Sequence, residues 1–314
     1  MGKLQQIINE LKSLDLKTCS TEDITSVLLR IGKIPAPIRD IHKDHVIYRA
    51  SSLQGKETIK NSSRLSYCPA SKNKSFQRAS TPMQTMFYGV LGDVDDKLFD
   101  LNGEMLALQE ACSFFKYAPA EDGVYRVAVS KWRVVNTISL LTLMQPETTN
   151  KSKRLNDMVS GLLDFIKENK DSFEEEDAIA FHKFMCNEFT KPVENENEYR
   201  ISALFTNEII KNTDGTVWQS SVAIDEKLND TLCVAVKPET VNKSMVCLGY
   251  AIYTIIIKDG KLSYSKENFS VKATKRHKKR KKHKAKRKKI IKKRKVGKSI
   301  ITKRRVRKRK KLKE

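Results

Sequence analysis

The sequence has no run of about 18 or more consecutive apolar residues, so a membrane-spanning helix is not expected. Its longest apolar stretch, MVCLGYAIYTIII (Met245–Ile257), is interrupted by Gly249, Tyr250 and Thr254 and is rich in β-branched residues; it reads as a buried strand. The opening residues, MGKLQQIINELKSLD, contain neither the apolar core nor the small-residue cleavage site of a secretory signal. Gln6 stands where myristoylation of a Met-Gly start requires Ser or Thr. The six cysteines (19, 68, 112, 186, 233 and 247) form no CxxC pair, and Cys233 and Cys247 sit inside apolar runs. A zinc site or disulfide framework is therefore disfavoured, and buried free thiols in a reducing cytoplasm are expected. No internal repeat is present.

Charge of both signs is present, but it is not evenly spread. Residues 272–314 hold 27 of the 61 Lys and Arg and one of the 37 Asp and Glu. The overall net charge of +24 therefore divides into +26 for this tail and −2 for residues 1–271. A basic domain reading of the whole chain is excluded at this step. The tail has few apolar residues, among them Ile290, Ile291, Ile300 and Ile301, and such a composition predicts disorder. It suits non-specific binding to nucleic-acid phosphates. Regular basic–aromatic interleaving is missing, so base stacking is not supported. An A-rich coding end read in another frame also writes Lys/Arg strings.

Along the body, Leu4, Ile7, Ile8, Leu11 and Leu14 fall on one helical face. A second helix is expected after Ser20, with Asp23 as its capping partner and Ile24, Val27, Leu28 and Ile31 as its apolar stripe. Pro35 and Pro37 close this segment, so an N-terminal helical pair is assigned to residues 1–38. Strands are predicted in HVIYRAS, TMFYGVLG, VYRVAVSKWRVV, GTVWQSSVAI, TLCVAVKP and Met245–Ile257. Asp259-Gly260 suits a hairpin turn after the last of these. Helices are predicted over roughly Gly103–Tyr117, Leu155–Glu168, Asp177–Phe189 and Glu198–Lys211. Strands at both ends with helices between them give an α+β fold over residues 39–271.

Several familiar signals fail. Gly297-Lys298-Ser299 resembles the end of a phosphate-binding loop, but Lys292 occupies the place of its first glycine. His42 and His45 lack a third ligand and read as a surface turn; no metal site is expected. His182 reads as a packed helical histidine. Glu174–Asp177 reads as the acidic first turn of a helix, favoured by its dipole. More informative are polar groups beside strong strands: Arg49 at a strand end, Arg78 before a turn, Tyr88 inside a strand, and Ser220 and Ser221 at the start of one. Glu110 borders the apolar face of its helix, whereas Glu104 reads as a dipole-favoured first-turn acid.

Their order along the chain carries a resemblance. IYRAS, then RLSYCPA and QRASTPMQTMFYG, then LALQEA, then EYRISALFTNEII, DGTVWQSS and LCVAVKP together resemble the RES-domain family, the toxin half of bacterial toxin–antitoxin systems. The resemblance covers roughly residues 40–250. Gln77 and Ser80 depart from the family's usual Gly and Asn, and Trp218-Gln219-Ser220 replaces its Tyr-Pro-Ser. Counting from Asp214-Gly215 places the family serine at Ser220; counting back from Val222 places it at Ser221. The longer spacing from Tyr88 to Glu110 suggests an inserted loop at about 92–103 and leaves Glu104 as a fallback carboxylate.

The resemblance implies an ADP-ribosyltransferase-like mixed β core that consumes NAD as substrate, and an Xre-like antitoxin as partner. Under it, Arg49 and Arg78 would meet the pyrophosphate, because a guanidinium presents a planar fork to phosphate oxygens. Tyr88, with Tyr67 second, would stack on nicotinamide. Glu110 would stabilise positive charge developing on the ribose, and Ser220 would orient the amide or a ribose hydroxyl. Water, phosphate or a protein side chain each suits the acceptor role.

Overall fold

In a computed structural model, residues 2–92, 101–112, 121–147, 153–220 and 231–270 are described, all within a unit formed by residues 1–271. In chain order they form α1 (Lys3–Ser13), α2 (Thr21–Leu29), β1 (Ile38–Ile41), β2 (Val46–Leu53), β3 (Phe87–Leu91) and α3 (Leu101–Ala111). There follow β4 (Gly123–Val134), β5 (Ile138–Leu143), α4 (Lys153–Glu168), α5 (Glu175–Thr190) and α6 (Arg200–Leu204). The order ends with β6 (Gly215–Gln219), β7 (Leu232–Val236), α7 (Pro238–Ser244), β8 (Met245–Lys258) and β9 (Lys261–Ser270). The protein is α+β, with these nine strands in one mixed sheet of order β1-β5-β6-β7-β3-β2-β4-β8-β9. Only β5 and β6 pair in parallel among the described strands. No helix among the described residues is long and apolar enough to cross a membrane.

Local chemistry accounts for the element boundaries. The Asp23 N–H donates to Ser20 Oγ at 3.0 Å and the Ser20 N–H to Asp23 Oδ2 at 2.8 Å, the capping box expected for α2. The acidic run before α5 does more than complement a dipole: Asp177 Oδ2 accepts the Leu4 N–H at 2.9 Å and so caps α1 from another helix. Asp259 and Gly260 both take positive φ (51° and 70°), as a two-residue turn between β8 and β9 requires. The helix anticipated over 198–211 is instead a 3-10 turn (Glu196–Tyr199), α6, and a wide turn over Phe205–Ile209. Asn207 Nδ2 donates to both Ala203 O (2.7 Å) and Ala79 O (3.0 Å), drawing that last turn toward the 77–80 segment.

The two faces of the sheet are covered differently. On one face α1, α2, α5 and α6 pack over β5, β6 and β7, burying Leu28, Phe181, Phe205 and Trp218. On the same face α3 packs over β2, β4 and β8, burying Tyr48, Leu108, Val129 and Tyr253. The opposite face is closed by α4 and α7 around Phe87, Trp132, Leu162 and Val234. A seam therefore remains on the first face, over β3.

At that seam the sheet opens. The ladder between β2 and β3 comprises only Ile47↔Leu91 and Tyr48↔Val90. Beyond it β2 runs on against β4 as far as Leu53, while the other end of β3 pairs with β7. Arg49 is thus an interior residue of β2, not the strand end expected from the sequence. Gly89 is required at the divergence, since a Cβ there would lie 2.5 Å from Ile47 Cγ2 and 2.8 Å from Tyr48 O.

His182, on α5, is fully buried and donates from Nε2 to Pro35 O at 2.8 Å, tying the segment after α2 to the core. Burial lowers its pKa from 6.5 to about 4, an effect that the Pro35 carbonyl only partly opposes. The unfolded chain then binds the proton more readily, so this group's stabilisation is complete above about pH 6.5 and is lost as pH falls toward 4. Urea midpoints should show about 2 kcal/mol lost between pH 7 and pH 5. His182→Gln should flatten that slope.

Candidate functional site

A cavity of about 420 Å³ occupies the seam, within the usual size range of small-molecule sites. Its floor is the opened junction of β2 and β3 with β7 beside it; α3 forms one wall, and the 77–80 turn with Tyr199 forms the other. Arg49, Arg78, Tyr88 and Glu110 all line it. Ser220 joins them by donating its hydroxyl proton to Glu110 Oε1. Five residues singled out from separate stretches of sequence are therefore brought to one place.

Arg49 fills the opening in the sheet. Its Nη1 donates to Tyr88 O at 2.8 Å, a carbonyl on the edge that β3 exposes after parting from β2. The guanidinium lies over the Phe87 ring at 5.3 Å, and its Nε is buried with no hydrogen-bond partner among the described residues. Burial lowers its pKa to about 10, which leaves it a cation at neutral pH. A desolvated cation with an unused donor beside a cavity is suited to an anionic or strongly accepting ligand.

Tyr88 organises the neighbouring turn. Its hydroxyl accepts the Ala79 N–H at 3.0 Å and shares a hydrogen bond of 2.8 Å with Ser80 Oγ. Ser80 Oγ in turn accepts the Met86 N–H at 3.1 Å. Burial pushes the phenol pKa up to about 12, so the hydroxyl stays protonated. Arg78, held by this turn, donates from Nη1 to Phe189 O (2.7 Å) and Lys191 O (3.2 Å), carbonyls at the C-terminal end of α5. Its guanidinium stacks over the Tyr199 ring at 5.3 Å, and both line the cavity.

On the opposite wall Glu110 is half-buried on α3. Ser220 follows the end of β6 rather than starting a strand, and its N–H donates to Thr231 O at 2.9 Å. The Trp218 side chain lies on the same side of β6, lines the cavity, and packs on Phe189 with ring centroids 5.1 Å apart. A carboxylate that accepts a hydroxyl proton, facing two guanidiniums across an aromatic-lined space, can hold a ligand with both cationic and anionic parts.

Other candidates fall elsewhere. Tyr67 is absent from the cavity lining; its hydroxyl accepts from Asn242 Nδ2 at 2.7 Å beside the other core. Glu104 is not an exposed first-turn acid but a fully buried one, bonded to Tyr253 and Lys266. Ser221, residues 93–100 of the insertion expected at about 92–103, Gly297-Lys298-Ser299 and the tail lie outside the described residues, while Leu101–Gly103 of that expected loop begin α3. His42 and His45 sit in the turn between β1 and β2, with His45 Nδ1 3.0 Å from His42 O. Among the described residues no group of three or more His, Cys, Asp or Glu could hold a metal ion. Cys68 is exposed, contrary to the expectation of buried thiols, while Cys112, Cys186 and Cys233 are buried. Tyr199 and Trp218 do not stand out in the sequence as site residues, although both lie inside the motifs that carry the resemblance.

No protein-family model matches the chain, nor does any curated protein or solved structure. Within the site, Tyr88→Phe should lower stability by about 1–3 kcal/mol, because the buried Ala79 N–H loses its acceptor. Denaturant titration measures that loss, and it should not recur in Tyr67→Phe, whose partner Asn242 is exposed.

Proposed function

We propose that this chain is an NAD-cleaving enzyme with an ADP-ribosyltransferase-like core. The observation that supports the reading most is the convergence of Arg49, Arg78, Tyr88 and Glu110 on one cavity, with Ser220 bonded to Glu110 at its side. The resemblance to the RES-domain family, carried by the order of the motifs, assigns those same residues. NAD joins a cationic nicotinamide riboside to an anionic pyrophosphate, and the cavity offers groups of the opposite sign for each.

In this proposal the guanidiniums of Arg49 and Arg78 donate to pyrophosphate oxygens, and the Tyr88 ring backs the nicotinamide. The bond between ribose C1′ and nicotinamide N1 breaks. Its electron pair leaves with the ring, which departs as neutral nicotinamide, and positive charge passes to C1′ and the ring oxygen of the ribose. Glu110 stabilises that charge, while Ser220 holds the carboxylate in place. A nucleophile of the water, phosphate or protein side-chain class then bonds to C1′ and loses its proton to solvent. An Xre-like protein filling the same cavity as an inhibitor belongs to this proposal.

Purified full-length protein should release nicotinamide from NAD with matching loss of NAD. Glu110→Gln should lower kcat by about 10²–10³-fold, the scale of losing one electrostatic stabiliser. An unaltered kcat in that variant would remove Glu110 from the reaction. Absence of turnover in the wild-type chain would defeat the proposal itself.

The 27 basic residues of 272–314 favour a second reading, in which the tail binds nucleic acid through phosphates. Full-length protein should bind unrelated duplexes alike. If the tail neutralises 6–10 phosphates, affinity should fall by about 10³–10⁵-fold between 50 and 200 mM salt. Deletion of 272–314 should abolish that binding and leave NAD turnover intact; binding that survives deletion would overturn this assignment.

A further inference from the structure

We infer that Glu104 is a positioning residue for Glu110: through Tyr253 and Lys266 it locks α3 onto the β8–β9 hairpin and so fixes where Glu110 sits in the cavity. The inference rests on the NAD-cleaving reading for its catalytic consequence, though not for the lock itself.

Glu104 lies at the start of α3 with its side chain 1% exposed. Oε2 accepts the Tyr253 hydroxyl proton and forms an ion pair with Lys266 Nζ at 2.8 Å. The same ammonium lies over the Tyr253 ring at 5.6 Å, so the three side chains form one closed cluster between the helix and the last two strands. Oε1 is buried with no hydrogen-bond partner among the described residues. For a group that serves stability alone this is a poor arrangement, since a buried ion pair is often no better than apolar packing of the same shape. What it supplies is direction.

The ridge of α3 along the cavity is smooth, so the helix is positioned by the groups beside that ridge, Glu104 and the buried Leu108. Gly103, Ala107 and Ala111 follow one another at intervals of four along a single ridge. Ala107 and Ala111 line the cavity, and a Cβ on Gly103 would lie 2.3 Å from Tyr48 Cε2. Small residues allow α3 to approach Tyr48 closely, but they offer no large side chain to resist sliding or rotation along that contact. Glu104, adjacent to Gly103, resists both together with Leu108, and it ties α3 to β9 by an ion pair. Glu110 comes six residues later, about 9 Å along the axis, and meets Ser220 beyond β6 on the other side of the seam. The helix is therefore held by carboxylates at both ends, each reaching a different side of the opened sheet. An error of about 1 Å at a reacting group costs about 10²-fold in rate, so a lock at Glu104 is felt at Glu110.

The experiment compares Glu104→Gln, Lys266→Met and Lys266→Arg in the full chain, by NAD kinetics and by hydrogen exchange of α3. The first two should lower kcat about 10²-fold while KM for NAD stays within about twofold, since the binding groups Arg49 and Arg78 lie on other elements. Lys266→Arg, which keeps the ion pair, should retain kcat within about threefold. Amides of 104–112 should exchange faster in the first two variants, with those of β6 and β7 unchanged. Unchanged kcat per folded molecule would overturn the inference and leave Glu104 a purely structural residue. Exchange that rises uniformly through the chain would overturn it equally. If the wild type does not turn over NAD, the functional reading falls, and the α3 exchange pattern alone decides whether the lock exists.

Discussion

The two-position ladder between β2 and β3 is the constraint from which the site follows. Had these strands stayed paired, the Tyr88 carbonyl would have bonded to a strand amide, leaving no opening for the Arg49 guanidinium. Their early divergence leaves that carbonyl without a ladder partner, and Arg49 Nη1 supplies one. One side-chain donor thus completes the backbone hydrogen bonding of the sheet and places a cation at the floor of the cavity. Gly89 allows the close crossing that makes this possible.

The remaining polar side chains of the site have the same double character. Tyr88 holds the 77–80 turn through its hydroxyl and lines the cavity with its ring. Arg78 donates to carbonyls at the C-terminal end of α5, where the helix dipole favours a cation, and presents the rest of its guanidinium over Tyr199. The sheet sets the floor, the 77–80 turn with Tyr199 sets one wall, held from behind by the end of α5 and by Asn207, and α3 sets the other. Few of these contacts are local in sequence, so the geometry of the site is a property of the whole body.

That non-locality separates what is readable in the sequence from what is not. Elements with strong local signals are readable: the Leu4–Ile7–Ile8–Leu11 stripe of α1, the Ser20/Asp23 cap of α2, the Asp259-Gly260 turn, and the long β-branched run of β8. β5 and β1 escape for opposite reasons. ISLLTL is an apolar run without alternation, and periodicity alone does not separate such a run from a helix; IRDI is too short for any period. The site residues emerge from the order of motifs, since that order survives where single motifs are weak. The split in the sheet is hidden, because it depends on which partner each strand takes, and Arg49 therefore reads as a strand end. Trp218 and Tyr199 do not stand out because an aromatic beside a strand or helix start usually belongs to the core.

Glu104 and Glu110 show the same limit on a smaller scale. The sequence offers both as carboxylates of one helix, with Glu104 as a fallback should the loop before it shift the alignment. Helix geometry already weighs against that interchange: six residues at about 100° each leave the two side chains about 120° apart around the axis. The two side chains therefore leave the helix in different directions. The structure assigns them opposite environments, one fully buried against Tyr253 and Lys266, the other half-buried beside Ser220. What the sequence cannot supply is which strand each one meets, and that is decided by the order β6-β7-β3-β2-β4-β8-β9 beneath the helix. The seam over β3 fixes the outcome, for only the carboxylate that reaches across it borders the cavity.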